Sequence, residues 1–416
     1  MYLRHAYPVL TLMPDARYDV VVIGGGIIGL SVAMELTHRF PRLRTLILEK
    51  EDRIARHQSG HNSGVIHSGV YYKPGSLKAR TCVEGAAAMV DFCLRHDIPH
   101  KVCGKLIVAT TDDELPRLQV LLERGQSNGI RGLKLLAGDQ LREVEPHCAG
   151  MGGLHVPSTG ITDYVAVCEK YAELVSLQGG VLTTQTAVTG FARHGGSVVA
   201  ETTRGAFEAS YVINCAGLHS DRIARLAAPG TDVMIVPFRG EYYDLVPERD
   251  SLVRGLIYPV PDPRLPFLGV HFTRRIHGGV DAGPNAVLAF KREGYRRADF
   301  SAGDLLSTLA FPGFWRMAAK YWRSGLEEFY RSFSKRAFLA ALRRLVPEVS
   351  ELDLQPGGAG VRAQALNRDG SLVDDFQFVQ SENMLHVFNV PSPAATASIP
   401  IGRALVEMAS KNFDWR

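Results

Sequence analysis

Gly24, Gly26 and Gly29 stand at G-x-G-x-x-G spacing, and an acid, Glu49, closes the next apolar run. A pyrophosphate is what this spacing can hold. Gly24 permits a tight turn, Gly26 lets backbone N–H groups approach the phosphates, and Gly29 lets a helix pack close to its sheet. Glu49 offers two acceptor oxygens to ribose hydroxyls, Lys50 beside it is placed to cover ribose or adenine, and Ile28 lies within the same turn. The fingerprint alone leaves FAD and NAD both open. The six cysteines, Cys82, Cys93, Cys103, Cys148, Cys168 and Cys215, form no C-x-x-C pair. Neither a zinc site nor a disulfide framework is expected, and a reduced cytoplasmic setting fits.

Around these residues the sequence supplies a βαβ unit. Tyr18 to Ile23 is β-branched and almost continuously apolar, as a strand covered on both faces should be. Ile27 to His38 reads as a helix and Arg44 to Glu49 as a second buried strand. Ala166 to Leu177 looks helical, Val181 to Val188 strand-like, and Ser197 to Thr203 alternates as a hairpin strand. Tyr211 to Gly217 is another buried strand ending in glycine. Proline-punctuated strand candidates follow at Val233 to Val236, Glu241 to Leu245 and Ala286 to Lys291, which suggests an antiparallel sheet covering a substrate. Leu305 to Leu345 is helical in pattern, and Leu385 to Met408 gives a strand, a loop and a final helix.

Composition bounds the function class. A chain of 416 residues with 46% hydrophobic composition is longer than one core usually fills, so two lobes around a shared site are expected. The net charge of +4 is small for this length and does not call for nucleic acid. The opening stretch, Met1 to Pro14, lacks the cleavage site of a secretory signal. Val20 to Leu36 is interrupted by glycines and a glutamate, so no transmembrane span is expected.

Immediately after the βαβ unit comes Ser59-Gly-His-Asn-Ser-Gly-Val-Ile-His-Ser-Gly69, then Val70-Tyr-Tyr-Lys-Pro-Gly75. Further on stand Cys103-Gly-Lys-Leu-Ile-Val108, Arg239-Gly-Glu-Tyr-Tyr243, Gly283-Pro-Asn-Ala-Val-Leu-Ala-Phe290 and Pro391-Ser-Pro-Ala-Ala-Thr396. From Tyr18 to Met408 the chain resembles FAD-dependent oxidoreductases of the D-amino-acid-oxidase class, most closely the L-2-hydroxyglutarate oxidase and dehydrogenase family. One departure stands at His277, where the family favours an aspartate.

The resemblance implies an α/β fold: a Rossmann-like FAD-binding domain (18–85, 150–225 and 350–412) with an inserted mixed or antiparallel-sheet substrate domain (86–149 and 226–349). It implies FAD as cofactor and a 2-hydroxy dicarboxylate as substrate, oxidised at C2 while a base takes the hydroxyl proton. His67 is the implied base, since histidine titrates near neutral pH and this one follows the loop expected along the flavin. Ser59, Asn62, Ser63 and Gly64 are the implied donors to diphosphate and ring, and Val188 a backbone contact to adenine. Ala216 and Gly217 resemble the second flavin motif of the class. Ala394, Ala395 and Thr396 precede a helix near Ile399 whose positive end suits the flavin N1–C2=O edge. For the carboxylates the candidates are Arg239, His271, Arg274 and Lys291, with Tyr71 and Tyr242 as hydrogen-bond donors.

Between 305 and 345, Phe314, Trp315, Trp322, Phe329 and Phe333 interleave with Arg316, Lys320, Arg323 and Arg331. Such a helix can lie in an anionic membrane surface, or cap the catalytic lobe with its bases in water. The first reading implies a quinone as electron acceptor and a peripheral position on the inner face of the cell membrane; the second leaves oxygen. Two rival functions remain at this point: an amine or amino-acid oxidase of the same class, and a flavin-binding protein without catalysis.

Overall fold

The computed structural model describes residues 17–228, 232–263 and 268–415. The opening segment 1–14, read above for a targeting signal, lies outside the described residues. The βαβ unit forms as expected: β1 (Tyr18–Ile23), α1 (Ile27–Arg39) and β2 (Thr45–Leu48), with β1 and β2 parallel and Val20 opposite Thr45. Both strands are covered on both faces, which is why their sequences run apolar without alternation. They belong to an eight-stranded sheet in which Gly205–Asn214 lies parallel to β1, Met384–Asn389 parallel to Gly205–Asn214, and Val181–Thr183 parallel to β2. The expected strand 181–188 is split. The chain turns at Gln185, with φ +55°, and Val188–His194 departs into an antiparallel hairpin with Ser197–Thr202.

α1 packs between Tyr164–Leu177 and the last helix, Ser398–Asn412, around Leu30, Leu36, Tyr171 and Leu405. The crossing with the last helix is close. A Cβ on Gly402 would lie 2.3 Å from Ser31 Oγ, and that hydroxyl donates to Ser398 O at 2.7 Å. The start of the last helix is thereby clamped to the helix that begins at the fingerprint.

A nine-stranded mixed sheet forms the second lobe. Its spine, Val233–Leu245, pairs antiparallel with Leu354–Asn367 from Val233 opposite Asn367 to Leu245 opposite Leu354. The two strands expected at 233–236 and 241–245 are therefore one. Pro237 is tolerated inside it because its carbonyl still accepts, from Ala289 N at 3.0 Å. The strand expected at 286–291 shortens to Val287–Leu288. Sheet membership also departs from the expected boundaries. Leu354–Asn367 and Gly152–Val156 ladder into the second sheet, while Met89, Phe92 and Cys93 on helix Leu77–Arg95 pack in the core around α1. Hydrogen bonds to partners far along the chain decide this, and local pattern carries no trace of them.

Residues 305–345 fall in three helices, Ala302–Leu309, Pro312–Phe333 and Lys335–Arg343, with a kink at Tyr321. Pro312 opens the second and Ser334 caps the third by accepting from Ala337 N at 3.2 Å. Two buried contacts tie the lobes. Arg292, beyond Val287–Leu288, donates to Asp221 on helix Ser220–Ala227 and to Leu218 O at 2.6 Å, with both side chains almost fully buried. No helix among the described residues is long and apolar enough to cross a membrane.

Candidate functional site

A cavity of about 660 Å³ runs along the carboxyl ends of β1, β2 and Gly205–Asn214. Gly24, Gly26, Ile28, Glu49, Ser59, Val188, Ala216, Gly217 and Ala394 line it, as expected of the nucleotide contacts. The glycines are required sterically. Gly24 has φ +111° and a Cβ there would lie 2.5 Å from Cys215 O; on Gly29 it would lie 2.0 Å from Gly24 O. Ser59 Oγ accepts from Ile27 N at 2.9 Å and so stands at the mouth of α1, where the phosphates of a dinucleotide belong. Glu49 is held by Gly25 N at 2.7 Å and Glu51 N at 2.8 Å, one to each carboxylate oxygen. Each oxygen keeps a lone pair for a ribose hydroxyl. This glycine cradle and its oriented acid fit the FAD that the fold requires.

Several expected cofactor contacts have other partners. Lys50 also lines the cavity, and its ammonium lies between Glu51 and Glu293, so it joins the lobes there. Burial pushes the Glu293 carboxyl up, but hydrogen bonds from His219 and Lys50 more than offset this and hold it well below the usual range. Glu51, His57 and Glu293 come within 4.8 Å of one another, and Lys50 pairs with both carboxylates. Asn62 donates to Gln58 O and Ser59 O and accepts from Gly64 N at 2.8 Å, closing its own loop around half-buried Ser63. Ala394 N donates to Pro391 O. Thr396 is fully buried; its hydroxyl accepts from His67 N at 3.0 Å and donates to Val65 O, while half-buried Ala395 packs on the core. The loop before the last helix thus holds the His67 segment in place.

His67 follows the short strand Val65–Ile66, which pairs with Gly160–Thr162. Its Nδ1 is buried without a partner, and Nε2 lies 3.5 Å from Ser392 Oγ. Burial, reinforced by the charges of Lys105 and His271, pushes its pKa down to about 3, so the ring is neutral at physiological pH. Tyr71 OH is likewise buried and unpartnered. His271, on strand His271–Arg274, stacks on Tyr258 at 3.8 Å and sets Nδ1 3.0 Å from Gly269 O. Burial pushes the Tyr242 hydroxyl up to about 12. His67, Tyr71, Tyr242 and His271 therefore form one buried cluster, through contacts and charges shared with Tyr258 and Lys105.

Three expected carboxylate anchors are not there. Arg239 is buried against Glu241, with Nε at 3.1 Å and a second nitrogen at 2.9 Å, so its charge is already paired. Arg274 donates to Asp250 O and Val253 O and fastens a backbone turn. Lys291 is half-buried, and no contact among the described residues joins its side chain to His67, Tyr71 or His271. The cluster's positive charge comes from residues that local pattern did not single out. Lys105 is 2% exposed, and its ammonium lies 4.4 Å from the Tyr71 ring centre and 5.1 Å from that of Tyr258. The Arg362 charge acts on His271, Tyr242 and Tyr258. A lone lysine heading the wholly buried run Lys105–Ala109 was the available signal.

Known proteins resemble this chain over most of its length. Residues 19–408 match the FAD dependent oxidoreductase family. The L-2-hydroxyglutarate dehydrogenase of Indibacter alkaliphilus is 50% identical over 397 residues, covering 95% of this chain and 100% of that protein. Its counterpart in Escherichia coli K12 is 49% identical, covering 94% of this chain and 92% of that protein. The human mitochondrial one is 46% identical, covering 96% and 90%. Among solved structures, the FAD-bound L-alpha-glycerophosphate oxidase of Mycoplasma pneumoniae superposes with TM-score 0.78 at 22% identity, covering 96% of each chain. Glycine oxidase of Geobacillus kaustophilus gives 0.69 at 20%, covering 95% of each. At such identities these two establish the fold, while the coverage of closer relatives places the chain more narrowly. This protein belongs to the FAD-dependent oxidoreductases and, within them, to the L-2-hydroxyglutarate oxidase and dehydrogenase family.

Proposed function

We propose that the enzyme oxidises L-2-hydroxyglutarate to 2-oxoglutarate. The observation that carries this is the buried cluster in which a neutral imidazole, His67, keeps an unpartnered Nδ1 near the Lys105 ammonium, with which no carboxylate pairs among the described residues. A dianionic 2-hydroxy acid supplies what such a cluster lacks, and the names of the relatives point to the same substrate. His67 takes the hydroxyl proton of the bound acid, for which a neutral ring is required. Bound FAD supplies the two-electron acceptor for the C2 hydride. Tyr71, Tyr242 and His271 orient the acid, and burial of the pocket excludes water from the reacting carbon.

Electrons then pass to a quinone at a membrane surface. Supporting this reading, helix Pro312–Phe333 exposes Trp315, Trp322, Leu326, Tyr330 and Phe333, with exposed Arg316, Lys320 and Arg323 on the same helix. Apolar residues of this size rarely stay in water without a purpose, and flanking cations suit an anionic lipid face.

The test is anaerobic mixing of the FAD-loaded enzyme with each 2-hydroxyglutarate enantiomer, glycine, sarcosine and glycerol 3-phosphate. Bleaching of the flavin absorbance by L-2-hydroxyglutarate alone is expected. Bleaching only by an amine makes the protein an amine oxidase, and no bleaching at all makes it a flavin-binding protein.

A further inference from the structure

Lys105 heads strand Lys105–Ala109, whose alternation turns it to the same face as Ile107 and Ala109, toward Val70 and Tyr71. The residue is 2% exposed, yet among the described residues no carboxylate pairs with its ammonium and no hydrogen bond reaches it. Two aromatic faces, Tyr71 and Tyr258, are its recorded contacts. Cation–π attraction offsets only part of the cost of taking an ammonium out of water. Two more polar atoms of the same wall, Tyr71 OH and His67 Nδ1, are also buried without partners. Three unmatched groups converging on one space are best explained by a polar ligand that completes them.

We propose that the Lys105 ammonium is the counter-ion that seats a substrate carboxylate between Tyr71, Tyr258, His67 and His271, and that substrate binding draws a proton onto this lysine. The inference rests on the dicarboxylate reading above. The titratable and charged groups around Lys105 are His67, Tyr71, Tyr72, Cys82, Tyr258 and His271, with Arg362 and Asp281 acting on Tyr258 behind them; three are positive or can become so, and the one carboxyl, Asp281, is pushed up to about 7 by burial and makes no contact with the lysine. Burial pushes the lysine down to about 7 in the free protein. A carboxylate at this position favours the charged form and raises it again. Below about pH 7 the lysine is already protonated and binding takes up no proton; above it, each bound acid must bring one. The neighbouring imidazole stays neutral, which divides the work: Lys105 holds charge and His67 accepts the hydroxyl proton.

The test uses the FAD-loaded enzyme and glutarate, a dicarboxylate that has no C2 hydroxyl and cannot be oxidised. Binding is followed by the flavin spectrum and by calorimetry in buffers of different ionisation enthalpy. Glutarate affinity is expected to fall by about tenfold per pH unit above about pH 7, with uptake approaching one proton there and vanishing at low pH. Lys105→Met should weaken glutarate by roughly 100-fold and abolish the uptake, while flavin content is retained and the melting temperature is not lowered. Wild-type glutarate affinity in that variant overturns the proposal. So does wild-type protein that binds glutarate without proton uptake, or that does not bind it at any pH; these measurements need no variant. A wild-type enzyme that binds glutarate in the expected manner but is not bleached by L-2-hydroxyglutarate sinks the substrate assignment alone.

Discussion

In the proposed reaction the proton transfer falls to one side chain, His67. Its neutral ring comes from burial, reinforced by the neighbouring Lys105 and His271, so a base in this position is ready without deprotonation. A histidine whose folded pKa is depressed keeps its neutral form until the pH falls to the folded value. The acid limb of kcat/KM for flavin reduction is therefore expected to be absent as pH falls from 7 through 6.5 to 5, by rapid mixing. A rate that drops tenfold per unit below 6.5 would assign an ordinary histidine. His67→Gln should slow reduction by roughly 10²–10⁴-fold with FAD still bound, since general base catalysis supplies that much. An unchanged rate removes His67 from the base role. The same scale separates the basic residues. Arg239 and Lys105 are both buried, but Glu241 pairs with the first, whereas the second rests against two aromatic rings with no carboxylate partner among the described residues.

The fingerprint elements work by proximity. α1 begins against the end of β1 only because Gly29 brings no Cβ to the Gly24 carbonyl, 2.0 Å from where one would stand. Gly29→Ala must move the helix start, and with it Ile27 N and Ser59, away from the phosphate position. We expect lost FAD, read from the ratio of visible to ultraviolet absorbance, and a destabilisation of about 1–3 kcal/mol in urea. Gly75→Ala serves as comparison: it shares a positive φ of +80°, has nothing within 4 Å, and lies outside the cavity lining. Retained FAD in Gly29→Ala would show that the close approach is dispensable. At this scale the buried strands β1, β2 and Tyr211–Asn214 were legible from apolar runs. The unity of Val233–Leu245 was not, because Pro237 reads as a break until its neighbours are known.

Across the whole molecule, the lobes are joined by the Arg292–Asp221 pair and by Lys50 between Glu51 and Glu293. Lys50 also lines the nucleotide cavity, so the second joint stands at its wall. On the outside, the exposed aromatic face of Pro312–Phe333 belongs to the molecule's relation with its surroundings. Replacing Trp315, Trp322 and Phe333 together by serine should reduce co-sedimentation with anionic vesicles at least tenfold and leave flavin bleaching by substrate unchanged. Equal binding to neutral and anionic vesicles, or none by the unaltered enzyme, would remove the membrane reading.

Sequence alone determined the dinucleotide unit, because its glycines, strands and acid interact within a short stretch of chain. It also located the His67 segment, Tyr71, Tyr242 and His271, through motifs that together resemble one family. Which cations face the substrate pocket was decided only in three dimensions. A lysine inside an apolar strand looks no different from a paired base until the sheets set aromatic rings beside it. Charge pairing is a property of spatial neighbours, and the neighbours of Arg239, Lys50 and Lys105 lie on strands and turns that only the folded sheets juxtapose.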